Sequence, residues 1–244
     1  MRRRFFVDRF QDQRASIEGE AAHHLGRVLR AQPGQLYELS DGTSVWLGRI
    51  DKIGRQEINF ELLEQLPAHS SSLKTTLLLS VVKFDAFEWA LEKATELGVA
   101  RIVPLASGRS EKALIAAAPK RAGRWQKILI EASQQSRRVQ LPALDPLTKP
   151  SSAFAATGNA DLRIGASLRL LLSESPEARP LRSLLSDVQP VEAILAIGPE
   201  GGWTESEFSC AHAAHFLEAS LGNLVLRTET AVIAAIASLN FALA

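Results

Sequence analysis

The sequence of 244 residues holds a single cysteine, a single tyrosine and a single methionine. With Cys210 alone, an internal disulfide framework and an all-cysteine zinc site are both excluded, and a reducing compartment is indicated. Cys210 has no catalytic partner beside it and falls inside a predicted helix instead of at its start, which argues against a nucleophile. The five histidines (His23, His24, His69, His212, His215) lack metal-site spacing, and no metal is expected. No phosphate-loop Gly-Lys-Ser/Thr, no Gly-x-Gly-x-x-Gly and no Gly-x-Ser-x-Gly occurs. Long apolar runs are also missing. The longest, Ala231 to Ala244, carries Ser238 and Asn240 and falls short of the roughly 20 residues of a membrane span. Met1-Arg2-Arg3-Arg4 is followed by Phe5-Phe6-Val7-Asp8 without an apolar h-region, so neither a signal peptide nor a membrane partner is expected, and the cytoplasm is.

Neither charge sign dominates: the net is +1. That near-neutrality conceals segregation. Residues 1–70 hold 10 basic and 10 acidic side chains, residues 71–149 hold 13 and 7, and residues 150–244 hold 5 and 10. A basic middle segment suits a polyanion, although pairing between the basic and acidic segments within the fold would use the same charges.

The texture divides the chain. In residues 1–66, Gln35–Leu39, Val45–Ile50 and Gln56–Leu62 alternate apolar and polar positions around turn residues such as Ser40-Asp41-Gly42. A small antiparallel β-barrel or sheet follows, with one short helix over Glu20–Leu29. Residues 67–72, small and polar, read as a linker. From Leu73 to Ala244, apolar runs alternate with helical stripes, which predicts an α/β domain with a buried parallel sheet. Strands are expected at Thr75–Val82, Arg101–Leu105, Leu162–Gly165, Leu168–Leu172 and Val191–Ile197. Between the first two, Asp85 and Glu88 form a capping-box-like pair, Phe87, Ala90, Leu91, Ala94 and Leu97 form an apolar stripe, and Gly98 ends the helix.

Three features carry candidate chemistry. The strand at Ala193–Ile197 stops in Gly198-Pro199-Glu200-Gly201-Gly202 and runs through Trp203 into the capping box Thr204…Glu207. Ligands of open α/β sheets bind at carboxyl strand ends, where glycines admit close approach; a tight strand-to-helix connection accounts for the same residues. Leu221-Gly222-Asn223-Leu224-Val225-Leu226 then reads as a short strand opening into Arg227-Thr228-Glu229-Thr230-Ala231, with Thr228 able to cap the apolar helix that follows. Here the plain alternative is a well-capped helix with Arg227 paired to Glu229. Over Pro119–Arg138, at 100° per residue, Lys120, Arg124, Lys127 and Arg138 share one helix face with Glu131 and Gln134, opposite Trp125, Ile128, Leu129, Ala132 and Ser136. That face, with Arg137, Arg109 and Lys112 as neighbouring cations, suits phosphate contacts or is an ordinary solvated face.

Together with Glu96-Leu97-Gly98-Val99, Arg124-Trp125…Gln135-Ser136…Arg138…Pro142 and His24-Leu25…Val28-Leu29-Arg30…Gly34, these motifs stand in the order and spacing of one family. The chain resembles the ribosomal RNA small subunit methyltransferase E family along essentially its whole length. The resemblance implies a SPOUT-type α/β fold with a C-terminal trefoil knot (residues 73–244), preceded by a PUA-like RNA-binding β-barrel domain (residues 1–66). It implies S-adenosyl-L-methionine as methyl donor, a homodimer, and N3 methylation of a uridine in 16S rRNA, within the small ribosomal subunit. Gly198, Glu200, Gly201, Gly202, Leu221, Gly222, Leu226, Arg227, Thr228, Glu229 and Ala231 match the family's cofactor loops. Asn223-Leu224 departs from a Pro followed by a basic residue, and Gln134 from a Glu.

Uridine N3 bears a proton, so the site must ease its loss or favour the anion. Arg227 is the candidate for stabilising or positioning the uracil, with Glu229 or Glu200 orienting Arg227 or accepting the proton. Candidate RNA contacts are Arg2, Arg3, Arg4, Arg30, Lys120, Arg124, Lys127, Arg137 and Arg138. A related enzyme acting on another RNA or another atom, and a non-catalytic RNA-binding module, are the alternatives. Binding of S-adenosylhomocysteine separates the enzyme from the module.

Overall fold

The computed structural model describes residues 3–68, 72–158, 167–186 and 188–243. The chain divides into two compact units, residues 1–70 with 133–141, and residues 71–132 with 142–244. The expected strand at Leu162–Gly165 and part of the expected linker lie outside the described residues.

The N-terminal unit is a five-stranded sheet in the order β1-β3-β4-β5-β2, made of β1 (Arg4–Phe6), β2 (Arg14–Glu18), β3 (Leu36–Ser40), β4 (Val45–Ile53) and β5 (Glu57–Leu66). The alternating residues do what their period requires. Ile58, Phe60 and Leu62 point into a core with Phe5, Ile17, Leu25, Leu39 and Ile50, while Glu57 and Glu61 stay in water. Two features differ from expectation. The sheet is mixed, because β1 pairs with β3 in parallel. The helix over Glu20–Leu29 is a five-residue α1 (Gly19–His23) followed by a π-helical turn at His24–Val28.

Arg4, expected on an RNA surface, is buried instead. Its Nε and Nη2 donate to Glu38 Oε2 at 3.2 and 2.9 Å, and its Nη1 donates to the carbonyl of Arg137. Arg137 Nη1 approaches the second Glu38 oxygen at 3.7 Å, and Ser40 Oγ donates to the carbonyl of Val139 at 2.7 Å. A carboxylate on β3 thus gathers two guanidiniums, and the segment Ser133–Leu141 is stitched to a sheet almost a hundred positions earlier in the chain. Charged groups taken out of water are tolerated only when paired in this way.

The C-terminal unit alternates strands and helices: β6 (Lys74–Ser80), α2 (Phe84–Glu96), β7 (Arg101–Leu105), α3 (Lys112–Gln135), β8 (Ala143–Leu144), α4 (Pro150–Gly158), β9 (Ser167–Leu172), β10 (Arg179–Pro180), α5 (Leu181–Leu185), β11 (Glu192–Ile197), α6 (Glu205–Ala213), β12 (Leu217–Ser220) and α7 (Thr228–Leu243). The strands form one sheet, all parallel, in the order β10-β12-β9-β11-β6-β7-β8. Both faces are covered, which is why its strands read as continuous apolar runs. Leu77, Leu79, Leu170, Leu195 and Ile197 pack with α2, α3, α5 and α7 on one face. Leu78, Leu171, Ile194 and Ala196 pack with Phe154 of α4 and Ala211 of α6 on the other. One face of apolar α7 (Ala231, Val232, Ala235, Ile236 and Leu239) is buried in packing against α2, α5 and β11, and Asn240 Nδ2 donates to the carbonyl of Leu97 at 2.8 Å.

The helix ends correct three expectations. Asp85 is not the cap of α2: the N-cap position is Lys83, and Asp85 accepts from the N–H of Ala86. Glu88 is buried and takes Arg124 Nε at 2.6 Å and Arg121 Nη1 at 3.3 Å. α3 begins earlier than Pro119 and ends at Gln135; Arg137 then turns with a φ of 57°, so Arg138 does not lie on the helix face with Lys120 and Lys127.

Replacing Glu38 with Ala removes the carboxylate paired with the buried Arg4 guanidinium. Urea denaturation of the full chain should show a loss of about 3 kcal/mol, the lower end for breaking a buried ion pair; an unchanged midpoint would show that Arg4 and Arg137 do not depend on it.

Candidate functional site

Parallel pairing places the carboxyl ends of β12, β9, β11, β6 and β7 along one edge, where open α/β sheets bind ligands. Four loops meet there, following β7, β9, β11 and β12.

The loop after β11 is built around its own glycines. A Cβ on Gly198 would stand 3.1 Å from the indole of Trp203, and one on Gly201 would stand 3.2 Å from Cβ of Arg109. Gly202 has a φ of 70°, a region costly for other residues. Trp203 is buried, donates from Nε1 to the carbonyl of Leu172 at 3.0 Å, and packs edge-on against Phe154. These glycines are therefore required by packing and turn geometry first.

The capping box expected at Thr204 and Glu207 is present. Glu207 does more than cap. Its buried carboxylate takes Thr204 N–H at 2.8 Å and Thr204 Oγ1 at 2.9 Å through one oxygen, and the N–H of Gly108 at 2.8 Å through the other. That last bond fastens the loop after β7 to the loop after β11. Arg109 adds a second tie, its Nη1 donating to the carbonyl of Gly201 at 2.9 Å.

The loop after β12 has a different construction. Leu221–Leu226 is not a strand, since β12 ends at Ser220. Leu221 and Leu226 dip into the core at either end, while Gly222, Asn223, Leu224 and Val225 are exposed. Ser220 Oγ donates to the carbonyl of Gly222 and accepts its N–H, holding a φ of 132°. A Cβ there would meet nothing within 4 Å. Among the described residues, no hydrogen bond uses the backbone N–H groups of Leu221 or Asn223–Arg227.

Thr228 joins the two loops. It is the first helical residue and not the cap, since Ala231 N–H returns to the carbonyl of Arg227. Its buried hydroxyl donates to the carbonyl of Gly198 at 3.4 Å, so the glycine loop and the start of α7 are neighbours. Arg227 and Glu200 are exposed and Glu229 is half-buried, and among the described residues Arg227 forms no ion pair with either carboxylate. The candidate cofactor residues on both loops are thus brought together at one edge.

The description of an RNA methyltransferase domain matches residues 69–240, and that of an RNA methyltransferase PUA domain matches residues 17–63. Ribosomal RNA small subunit methyltransferase E of Synechocystis sp. is 34% identical over 221 residues, covering 89% of this chain and 70% of that protein. This chain belongs to the ribosomal RNA small subunit methyltransferase E family. The Rickettsia conorii member is 29% identical, over 96% of this chain and 93% of its own. A crystal structure of the Neisseria gonorrhoeae member bound to S-adenosyl methionine superposes with a TM-score of 0.86 at 30% identity, covering 100% of this chain and 98% of that one.

The candidate RNA contacts of this methyltransferase separate into groups. Arg2 lies outside the described residues, and Arg4 is removed by its burial with Glu38. Arg3 and Arg30 are exposed on the N-terminal unit; Lys120, Arg124 and Lys127 are exposed on α3, with Arg124 tied to Glu88. Arg137 and Arg138 are half-buried, and burial draws the Arg138 guanidinium down to about 10. His212 pairs with Glu218 at 2.8 Å, and His215 lies in a left-handed turn beyond α6. Sequence reasoning missed Glu207 as a tie between loops; its capping role was visible, its bond to Gly108 across 99 positions was not.

Glu207→Ala would leave the N–H groups of Gly108 and Thr204 unpaired. The expected loss is about 2–3 kcal/mol for two stranded donors and a helix cap, read by thermal denaturation. Glu207→Gln, which keeps the acceptor oxygen for one of them, should recover part of it.

Proposed function

We propose that this chain uses S-adenosylmethionine to methylate N3 of a specific uridine in 16S rRNA, acting as a cytoplasmic homodimer with a trefoil-knotted C-terminal domain on RNA of the small ribosomal subunit. The observation that carries the reading is the Thr228–Gly198 contact, which sets a glycine loop beside a loop of free backbone amides.

The residues present fit the cofactor. An adenosyl group needs a flat space and backbone donors and acceptors; the loop at 223–227 offers N–H groups that are unpartnered among the described residues, beside Gly222, whose Cβ position has nothing within 4 Å. On the neighbouring loop, Ser110 Oγ is buried without a hydrogen-bond partner among the described residues. Gly198, Gly201, Gly202, Leu221, Leu226, Thr228 and Ala231 would frame the cofactor. When bound, S-adenosylmethionine supplies an electrophilic methyl group on its sulfonium.

The chain's own residues then handle charge and a proton. Loss of the N3 proton spreads negative charge over N3 and the two uracil carbonyl oxygens. Arg227, exposed and among the described residues without a carboxylate partner, at the positive end of α7, is placed to hold that charge. Glu229 or Glu200 takes the proton or orients Arg227. Lys120, Arg124 and Lys127 on α3, with Arg3 and Arg30, hold phosphates, which position RNA without reading its bases. The exposed apolar side chains Leu224, Val225 and Phe241, all in the C-terminal unit, support a subunit interface.

Arg227→Ala should lower kcat by about 100-fold or more, the usual effect of removing one charge-stabilising donor. Its S-adenosylhomocysteine affinity, measured by calorimetry, should stay near wild type; near wild-type turnover would remove Arg227 from the chemistry. Neutralising Lys120 and Lys127 together should weaken RNA binding and flatten log K against log salt by about 1.5. An unchanged slope would exclude α3 as the RNA face.

A further inference from the structure

Arg109 belongs to neither cofactor loop nor to α3, yet it is held at their edge. Its Nη1 is spent on the carbonyl of Gly201 at 2.9 Å, and its Cβ lies so close to Gly201 that a side chain there would be crowded at 3.2 Å. The residue before it, Gly108, is anchored by Glu207. The backbone and one end of the guanidinium are therefore both fixed, in a side chain that remains exposed.

The charge is fixed without being neutralised. A carbonyl orients a guanidinium but carries no formal charge, and among the described residues no carboxylate pairs with Arg109. With Nη1 engaged, the Nε and Nη2 edge remains, a fork that matches two oxygens of a phosphate or carboxylate. Arg109 also comes from the basic middle segment and projects among loops drawn from the acidic third of the chain, where Glu200 and Glu229 lie. Fixing a cation there serves an incoming anion.

Three anions compete for that role: the cofactor's carboxylate, the uracil anion, and a phosphate of the RNA. The first belongs to a molecule that also carries an ammonium and a sulfonium, so a second cation gains little by approaching it. The second is served by Arg227 at the start of α7. We infer that Arg109 binds the RNA backbone phosphate next to the target uridine, and so seats the nucleotide in the cleft. This rests on the proposed rRNA methyltransferase activity.

The test uses the full chain, small ribosomal subunits from a strain lacking this protein, and three variants: Arg109→Ala, Arg109→Gln and Arg109→Lys. For Arg109→Ala, KM for the RNA substrate should rise about tenfold to a hundredfold, the range for a lost charged hydrogen bond. kcat should change by less than about threefold, and the salt dependence of RNA binding should flatten by about 0.7–0.9, one phosphate contact. S-adenosylhomocysteine affinity should stay near wild type, and the stability loss should not exceed that of the hydrogen bond to Gly201. Arg109→Lys should recover much of the RNA affinity, and Arg109→Gln, which keeps a donor but no charge, should not.

Weakened S-adenosylhomocysteine binding with unchanged RNA affinity would overturn the inference in favour of the cofactor carboxylate. A fall in kcat with a shifted pH profile and unchanged KM would overturn it in favour of the uracil. Full activity in Arg109→Gln would make the residue a loop brace only. RNA affinity is read by direct binding as well as by turnover. A wild-type chain that binds the cofactor product yet methylates no rRNA would therefore sink the proposed function, while the Arg109 assignment stands or falls on RNA affinity.

Discussion

The C-terminal unit depends on one constraint: all its strands run the same way. Parallel pairing cannot be closed by tight hairpins, so each strand must return through a crossover, and the crossovers bury both sheet faces. The geometry that buries Leu77 and Leu79 on one side and Leu78 on the other also lines up every strand's carboxyl end on one edge. The loops after β7, β11 and β12 inherit their proximity from this. Glu207, Arg109 and Thr228 then convert proximity into fixed geometry, through bonds to Gly108, Gly201 and Gly198.

Those ties divide the work among glycines that look alike in the sequence. Gly198 makes room for the Trp203 indole and Gly201 for the Arg109 stem, while Gly202 supplies a turn. Gly222 alone among these four has neither a neighbour at its Cβ position nor an ordinary φ, and it borders the amides that no group of the described residues uses. The packed glycines make the cleft rigid, and the open one makes it accessible. Rigid placement is what a transfer reaction demands of its catalyst, because most of the barrier reduction comes from positioning and preorganised charge.

The N-terminal unit shows the same economy in its electrostatics. Glu38 organises Arg4 and Arg137, and the segment Ser133–Leu141 joins a sheet formed by the first seventy residues. An arginine in a basic run is a reasonable RNA contact when read alone. Burial with a carboxylate turns it into part of the framework, and among the described residues leaves Arg3 and Arg30 as the exposed candidate cations on that unit.

Much of this protein was legible in its sequence, wherever the information was local. Period-two alternation predicted β3, β4 and β5, apolar runs predicted β6, β7, β9 and β11, and the Thr204–Glu207 box and Gly98 stop marked helix ends, because propensity, capping and burial act over a few residues. Motif order along the chain was enough for the family. What only the tertiary structure decided were the partners of long-range groups. Leu221–Leu226 has strand-like residues but no neighbour to pair with beyond Ser220, so it became the open loop of the cleft. Thr228 is a good cap by type, yet its hydroxyl went to Gly198. Asp85 lost the cap to Lys83, while Glu88 was taken by two arginines of α3. For Thr228 and Glu88 the side chain had acceptable local partners, and the fold chose one 30 or more positions away.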